Sequence, residues 1–361
     1  MSDASTRHMI DMYMEEATPL MFLSGFFRTP DRNFYTSEEI EIDVRRSSEK
    51  IAIAVQDIKA GARENEATYY TNKSFIPPVF KEAGTINAYD LMKRRPGQID
   101  FTDPNFAAAV TEDVFSIARI LEDKIRRSIE LMCSQVLQSG TVACIDETGT
   151  ALYTLDFQMK ATHKKTVTTT WAPDGTTGTP MTDLADLAGV VRRDGKVNPN
   201  KLIFGSSALQ RFLANPQVKT LLDKQVLNLG ALAPATRGQG ATFYGFVWIG
   251  SYRFEIWTYD AWYEHPQTGV LTPYIAPDNV IMLSDQTRLD LSYGAIPRLM
   301  PPDPQIAAFL PSRMSNGEAG LDLTLNAWIT ENREHLKVTA GTRPLPIPTA
   351  IDGFARLDVT V

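Results

Sequence analysis

From Asn105 to Ser139 the chain runs for thirty-five residues without a glycine or a proline. One apolar stripe spans it: Phe106, Val110, Val114, Ile117, Leu121, Ile125, Ile129, Met132 and Val136. The steps of three and four are those of a helix. Asp103 is placed to cap it and Pro104 to open its first turn, predicting a helix over 104–139 that Gly140 ends. Such a helix is roughly 50 Å long at 1.5 Å per residue. That exceeds a small domain, so the helix must act as a strut. Its other face carries Glu112, Arg119, Glu122, Asp123, Arg126 and Glu130, and is expected to meet water or a polar partner.

The segments around the strut are unusual in a different way. Residues 1–35 hold Leu20-Met21-Phe22-Leu23 and Phe26-Phe27 between Gly25 and Pro30. Alone they are too short to bury those side chains, so they read as an arm that docks elsewhere. Residues 38–58 alternate, with Ile40, Ile42, Val44 and then Ile51, Ile53, Val55 on one face. A polar stretch from Gln56 to Lys73 follows, and the chain returns through Ser74-Phe75-Ile76-Pro77-Pro78. Two strand-like limbs around a polar tip make a projecting ribbon, which costs chain entropy unless something receives it.

Beyond the strut, Ala143 to Trp171 is strand-like, with Leu152, Leu155 and Phe157 expected together on one side of a turn at Thr148-Gly149. A helix is expected over 181–191 with Thr182 as its cap, and a buried strand over 201–204. Short helices are expected over 206–212, capped by Ser206, and over 216–222, opened by Asn215-Pro216. Strands 246–249 and 254–257 should pair across Gly250, residues 263–274 should form a loop, and 279–283 another strand. Residues 294–320 are rich in Pro, Gly and Ser, and the end alternates again over 323–328, 336–338 and 354–359. This mixture is an α+β chain.

Chemical motifs are missing. Gly189 to Gly195-Lys196 is one residue too long for a phosphate loop, and Val197 stands where a Ser or Thr should hold magnesium. Gly205-Ser206-Ser207-Ala208 is not a nucleophile elbow. His8, His163, His265 and His335 have no metal-ligand spacing, so no metal or cofactor is expected. The aromatics from Tyr244 to Tyr263 read as strand residues, some buried and some lining a subunit contact. A net charge of -7 disfavours a dedicated nucleic-acid binder, and scattered basic pairs such as Arg45-Arg46 and Arg126-Arg127 do not alter that. Cys133 and Cys144 form no disulfide framework, so they are expected to be small buried hydrophobes in a chain made in a reducing cytoplasm. There is no signal pattern and no apolar run of membrane-spanning length. What remains to be explained is the strut, the ribbon and the arm, and all three make sense if the partner is another copy of the chain.

The order of these features resembles the lambda-like major capsid protein family of tailed bacteriophages, which has the Hong Kong-97-like capsid fold. The resemblance runs through Pro19-Leu20-Met21-Phe22-Leu23, Phe26-Phe27-Arg28, Phe75-Ile76-Pro77-Pro78 and Leu91-Met92-Lys93-Arg94-Arg95-Pro96. It continues in Asp103-Pro104, Ala276-Pro277-Asp278-Asn279 and Tyr293-Gly294-Ala295. It implies an N-terminal arm over 1–37 and an extended loop with flanking strands over 38–95. A peripheral domain over 96–179 would hold the spine helix and a β-hairpin. An axial domain over 180–290 and return strands of the peripheral domain over 291–361 would follow. The implied function is a structural shell protein, not an enzyme, that forms hexamers and pentamers enclosing double-stranded DNA in the virion. Scaffold, portal and decoration proteins would be its partners, and no membrane is involved. Lys59 and Lys73 lie in or near the extended loop, yet no residue marks a partner for covalent cross-linking. Candidate inter-subunit residues are Phe22, Phe26, Phe27, Arg28, Arg45, Arg46, Lys59, Arg63, Glu64, Glu66, Lys93, Arg94, Arg95, Glu122, Arg126 and Arg127. Two alternatives stand beside this reading: a cellular compartment shell of the same fold, and a cytoplasmic α+β hydrolase whose site is assembled from distant residues.

Overall fold

The computed structural model describes residues 19–30, 34–35, 39–44, 71–87, 106–145, 151–223, 230–237, 240–296, 322–330 and 334–361. A 3-10 turn, Ser24–Phe26, opens the described chain. Strands β1 (Ile40–Val44) and β2 (Thr71–Phe75) pair antiparallel, Ile40 opposite Phe75 and Val44 opposite Thr71. They are the roots of the expected ribbon; its Ile51, Ile53 and Val55 lie outside the described residues. Strand β3 (Phe80–Asn87) leads toward helix α1 (Phe106–Ser139). The Asp103-Pro104 start lies outside the described residues. Gly140 ends α1 at φ +69°, its N–H donating to the Val136 carbonyl at 2.8 Å. A Cβ there would come within 2.4 Å of Met159, so glycine is required twice over.

Strands β4 (Thr141–Ile145) and β5 (Ala151–Asp156) form a hairpin, followed by β6 (Lys164–Thr166). Leu155 and Phe157 are buried, but Leu152 is 65% exposed. The reason is the strand period: 152 and 155 differ by an odd number and lie on opposite faces. Helix α2 spans Pro180–Gly195, so Thr182 is inside it and Thr179 is the capping position. Proline supplies the preset first-turn dihedral that makes this the natural start. Strand β7 (Lys201–Phe204) precedes α3 (Ser206–Ala214) and α4 (Pro216–Asp223). Gly205 rather than Ser206 caps α3, because only a residue without Cβ fits within 2.4 Å of the Ala276 carbonyl. At α4, the Asn215 Oδ1 accepts from the Gln217 N–H at 3.0 Å, as a cap should.

Strands β8 (Gly230–Arg237), β9 (Ala241–Ile249) and β10 (Tyr252–Tyr259) form an antiparallel meander, the last two joined at Gly250-Ser251. The expected loop at 263–274 contains a small hairpin instead, β11 (Trp262–Glu264) with β12 (Leu271–Pro273). Strand β13 is Asn279–Leu283 and β14 is Asp290–Tyr293. The chain finishes with β15 (Thr324–Ile329), β16 (His335–Thr342), β17 (Pro344–Ile347) and β18 (Ala355–Asp358).

A seven-stranded sheet of order β6-β18-β13-β7-β10-β9-β8 organises one part of the molecule. Its central strands are buried on both faces, which explains the unbroken apolar runs Leu202-Ile203-Phe204 and Val280-Ile281-Met282-Leu283. Leu202, Phe204, Val280 and Met282 belong to one core with α2 and α3, and Ile203, Ile281 and Leu283 belong to a second core with α1. The three-stranded sheet β15-β16-β3 packs elsewhere on α1. So close is that packing that a Cβ on Gly84 would meet Ile117 Cγ2 at 2.4 Å. The strut is thus covered by strands from both ends of the chain. Strands β16 and β17 return to pack on it as expected, with β15 attached through β16, and β18 touches it too while joining the seven-stranded sheet between β6 and β13.

Candidate inter-subunit surfaces

The described part of the apolar stripe is used as its spacing predicts. Val114, Leu121, Ile125, Ile129, Met132 and Val136 are buried, joined by Ala118, Cys133 and Leu137. Phe115 and Ile120 stand on the other side, 43% and 61% exposed. On that side Glu122 and Arg126 form an i,i+4 ion pair, the Arg126 Nε donating at 2.7 Å, and Arg127 is exposed. The C-terminal end of α1 is tied down by polar contacts. Gln138 donates to the Tyr274 carbonyl at 2.9 Å and accepts from the Ala276 N–H at 3.0 Å and the Asn279 side chain at 2.8 Å. Ser134 donates to the same Tyr274 carbonyl.

The arm docks on its own chain. Leu23 is fully buried and Phe27 nearly so. Phe22 packs on Trp257 and Tyr259 with ring centroids 5.5 and 5.4 Å away, and edge-on against Phe26. Arg28 is exposed, but its backbone is held: its N–H donates to the Leu289 carbonyl and its carbonyl accepts from Leu291, both at 2.8 Å. Phe34 stacks on Tyr293 at 5.5 Å. An arm unable to bury its apolar residues at home is therefore not what the fold contains. The receiving groove is built by β10, β14 and α1, which the local sequence of the arm does not reveal.

At the centre of this docking lies Glu130, which its place on the charged face of the strut had assigned to water. It is fully buried. Its two carboxylate oxygens accept from the backbone N–H groups of Leu23 and Ser24 at 2.7 and 2.8 Å. A signal did exist: Glu130 is flanked by Ile129, Leu131, Met132 and Cys133, an odd setting for a solvated acid. Burial pushes its carboxyl above the ordinary glutamate value, against the pull of those hydrogen bonds.

Large apolar side chains are exposed near the ribbon root. Ile76 and Val79 lie just beyond β2, and Ile145 and Leu152 lie on the β4–β5 hairpin. Tyr153 joins the two segments, its O–H donating to the Ile76 carbonyl at 3.4 Å, and its phenol is pushed up to about 12, mainly by burial. Trp262, Val270 and Leu271 expose a second apolar group on the β11–β12 hairpin. Such groupings mark contact surfaces more often than scattered single residues do. Of the sixteen candidate contact residues, Arg45, Arg46, Lys59, Arg63, Glu64, Glu66, Lys93, Arg94 and Arg95 lie outside the described residues.

The remaining ionisable groups serve packing. His163 is fully buried, its Nδ1–H donating to the Phe354 carbonyl at 2.8 Å. Lys160 bridges Asp194 at 3.2 Å and Asp352 at 3.1 Å, and hydrogen bonds led by that of Arg193 hold Asp194 down at about 2. The phosphate-loop candidate is part of α2, and Gly195 is there because the Asp352 carbonyl would lie 2.3 Å from a Cβ. Cys133 and Cys144 are free and buried, as expected of small hydrophobes. Among the described residues no three His, Cys, Asp or Glu are grouped to hold a metal ion, and no helix is long and apolar enough to cross a membrane.

No curated protein matches the chain. Among solved structures, its fold is similar to a capsid protein of a prophage of E. coli CFT073, with 14% identity, 98% of each chain covered and a TM-score of 0.62. Looser likenesses are to the capsid of cyanophage P-SCSP1u, with 9% identity, 96% of this chain and 90% of that one covered and a TM-score of 0.49. Another is to a phage-related protein of Bordetella bronchiseptica RB50, with 11% identity, 98% and 96% covered and a TM-score of 0.48. At such identities likeness speaks to the fold alone. Family membership rests on the sequence itself: the pattern of phage major capsid protein E matches residues 12–359, arm, strut and both cores together, and the chain belongs to that family.

Proposed function

We propose that the chain is the repeating tile of an icosahedral shell in the virion, made in the host cytoplasm and closed around double-stranded DNA. The carrying observation is the extent of the family match, residues 12–359, which spans every structural feature that a lone globular enzyme would not need. Hexamers and pentamers of the tile would form the shell, with scaffold, portal and decoration proteins as further partners. The function is mechanical rather than catalytic: many modest contacts add up to a wall that no single contact could hold.

The geometry supports a division of labour in that wall. The paired roots β1 and β2 start a ribbon whose polar tip, near residues 57–70, would reach a neighbouring tile. The exposed Ile76, Val79, Ile145 and Leu152 beside those roots, and the Trp262 hairpin, are apolar areas for a neighbour to cover. In these terms residues 1–37 serve as the arm, α1 as the spine of a peripheral domain, and 180–290 as an axial domain. A mildly acidic chain suits the role, because a basic inner wall would adhere to DNA.

Deleting residues 57–70, which leaves the β1–β2 pairing intact, tests the reading. The expected outcome is a folded, soluble subunit that elutes as small species and forms no shells in electron micrographs. The intact chain should form megadalton particles. Normal particles from the deletion would overturn the role given to the ribbon, and an intact chain that stays monomeric with its assembly partners present would overturn the shell.

A further inference from the structure

The arm is seated on a buried carboxylate that has no counter-cation among the described residues. Glu130 projects from α1 under the arm, and its oxygens are spanned by the Leu23 and Ser24 N–H groups. It is fully buried, and no lysine or arginine among the described residues pairs with it. The surrounding walls come from two other places and from α1 itself. Strand β10 supplies Tyr259, whose O–H donates to the Leu20 carbonyl at 3.1 Å, the segment after β12 supplies Tyr274, and α1 supplies Cys133. Tyr263 lies behind Tyr274 with ring centroids 5.2 Å apart. Arg127 acts on Tyr274 from the same helix, and Arg126 is committed to Glu122.

A charge held in such a place favours whatever relieves it. Removing the arm would let water reach the carboxylate, and adding a proton would neutralise it in place. We propose that docking of the arm on α1 is proton-linked through Glu130, the arm being held more tightly as pH falls and released more readily as pH rises.

The sign follows from the direction of the shift. Burial is the largest cause acting on Glu130 and raises its carboxyl above the ordinary glutamate value, outweighing the hydrogen bonds from Ser24, Leu23 and Tyr259. The docked state therefore binds the proton more tightly than a state in which Glu130 meets water. The extra stability is fully present below the ordinary glutamate value and is lost as pH rises through the raised one. Tyr259, Tyr274 and Cys133 are all pushed upward, chiefly by burial and next by Glu130, so they stay neutral across that window. Glu130 is the group that changes charge.

Amide exchange of the full chain, read by mass spectrometry on peptides covering residues 20–28 and corrected for the intrinsic pH dependence of exchange, tests this. Protection of the arm should rise from about pH 8 to about pH 5, by at most about tenfold per pH unit for one linked proton. Glu130→Gln removes the titrating group and keeps one of the two acceptors, so whatever protection the arm retains should lose its pH slope. Glu130→Ala should expose it throughout while peptides from α2 stay protected. Wild-type protection that is flat or falls on acidification overturns the proposal, as does a pH slope that persists in Glu130→Gln. Should the alanine variant fail to fold, the wild-type slope and its loss in Glu130→Gln decide alone.

Discussion

The two cores on either side of the seven-stranded sheet are built differently. The core around α2 and α3 is local. Apart from Ala355, Leu357 and Val359, its buried members fall between Val167 and Met282. The core around α1 gathers residues from Leu23 to Phe354 and is stitched by buried polar groups. Besides Glu130, Ser134 is fully buried, and so, to within 2%, is Arg343, which donates to the Ala295 carbonyl at 3.0 Å. Apolar burial dominates the first, and its directional contacts, such as the Trp171 indole N–H donating to the Asp183 carboxylate at 2.9 Å, join residues close in the chain. The second must seat distant segments in one register, and hydrogen-bonded polar groups discriminate between registers where methyl groups do not.

Trp171→Ala probes the local core at its largest fully buried side chain. Truncation should cost about 3–5 kcal/mol, read as a drop in the denaturation midpoint. Because the two cores share one sheet, protection should also fall across β7 and β13 on the α1 side. Loss confined to α2 and α3 would show that the cores are independent. Ile117→Pro attacks the stitched core through its helix. A mid-helix proline costs about 3 kcal/mol or more, and soluble, protease-resistant protein from that variant would remove the strut from its central place. Gly84→Ala is gentler. Its Cβ would overlap Ile117, so a loss of about 1–3 kcal/mol is expected by the same denaturation measurement. A neutral result would mean that β3 can slide on α1, against the close register described above. Glu122→Ala should be the smallest, about 0.5 kcal/mol or less, since both partners of that pair are partly exposed and screened. A larger loss would mean that the outer face of α1 is also a stitched contact.

Much of the fold was legible in the sequence. The strut is visible in its period and in the absence of Gly and Pro, and its end in Gly140. Strands β7 and β13 are visible as short apolar runs, and the β9–β10 hairpin through Gly250. Capping was less legible. Thr182 and Ser206 have the right chemistry one or more residues too late, because Pro180 and the tight approach at Gly205 decide where those helices begin. The β11–β12 hairpin was hidden by its Pro and Gly content, which reads as loop until cross-strand pairing is seen. Of the candidate contact residues, only the helix pair Glu122 and Arg126 was readable as a pair, since i,i+4 spacing is a local property.

What the sequence determined by itself, then, is whatever depends on near neighbours along the chain: the period of each element, its turns, and the family to which the order of elements belongs. What only the tertiary structure decided is where each element goes. Nothing local says that Leu23 and Phe27 bury on their own chain, that β18 enters the large sheet, or that the arm is what covers Glu130. The physical reason is that burial is set by the partner surface, and here the partners are far away in the chain, as Leu23 is from Glu130 and Asn279 from Asp358.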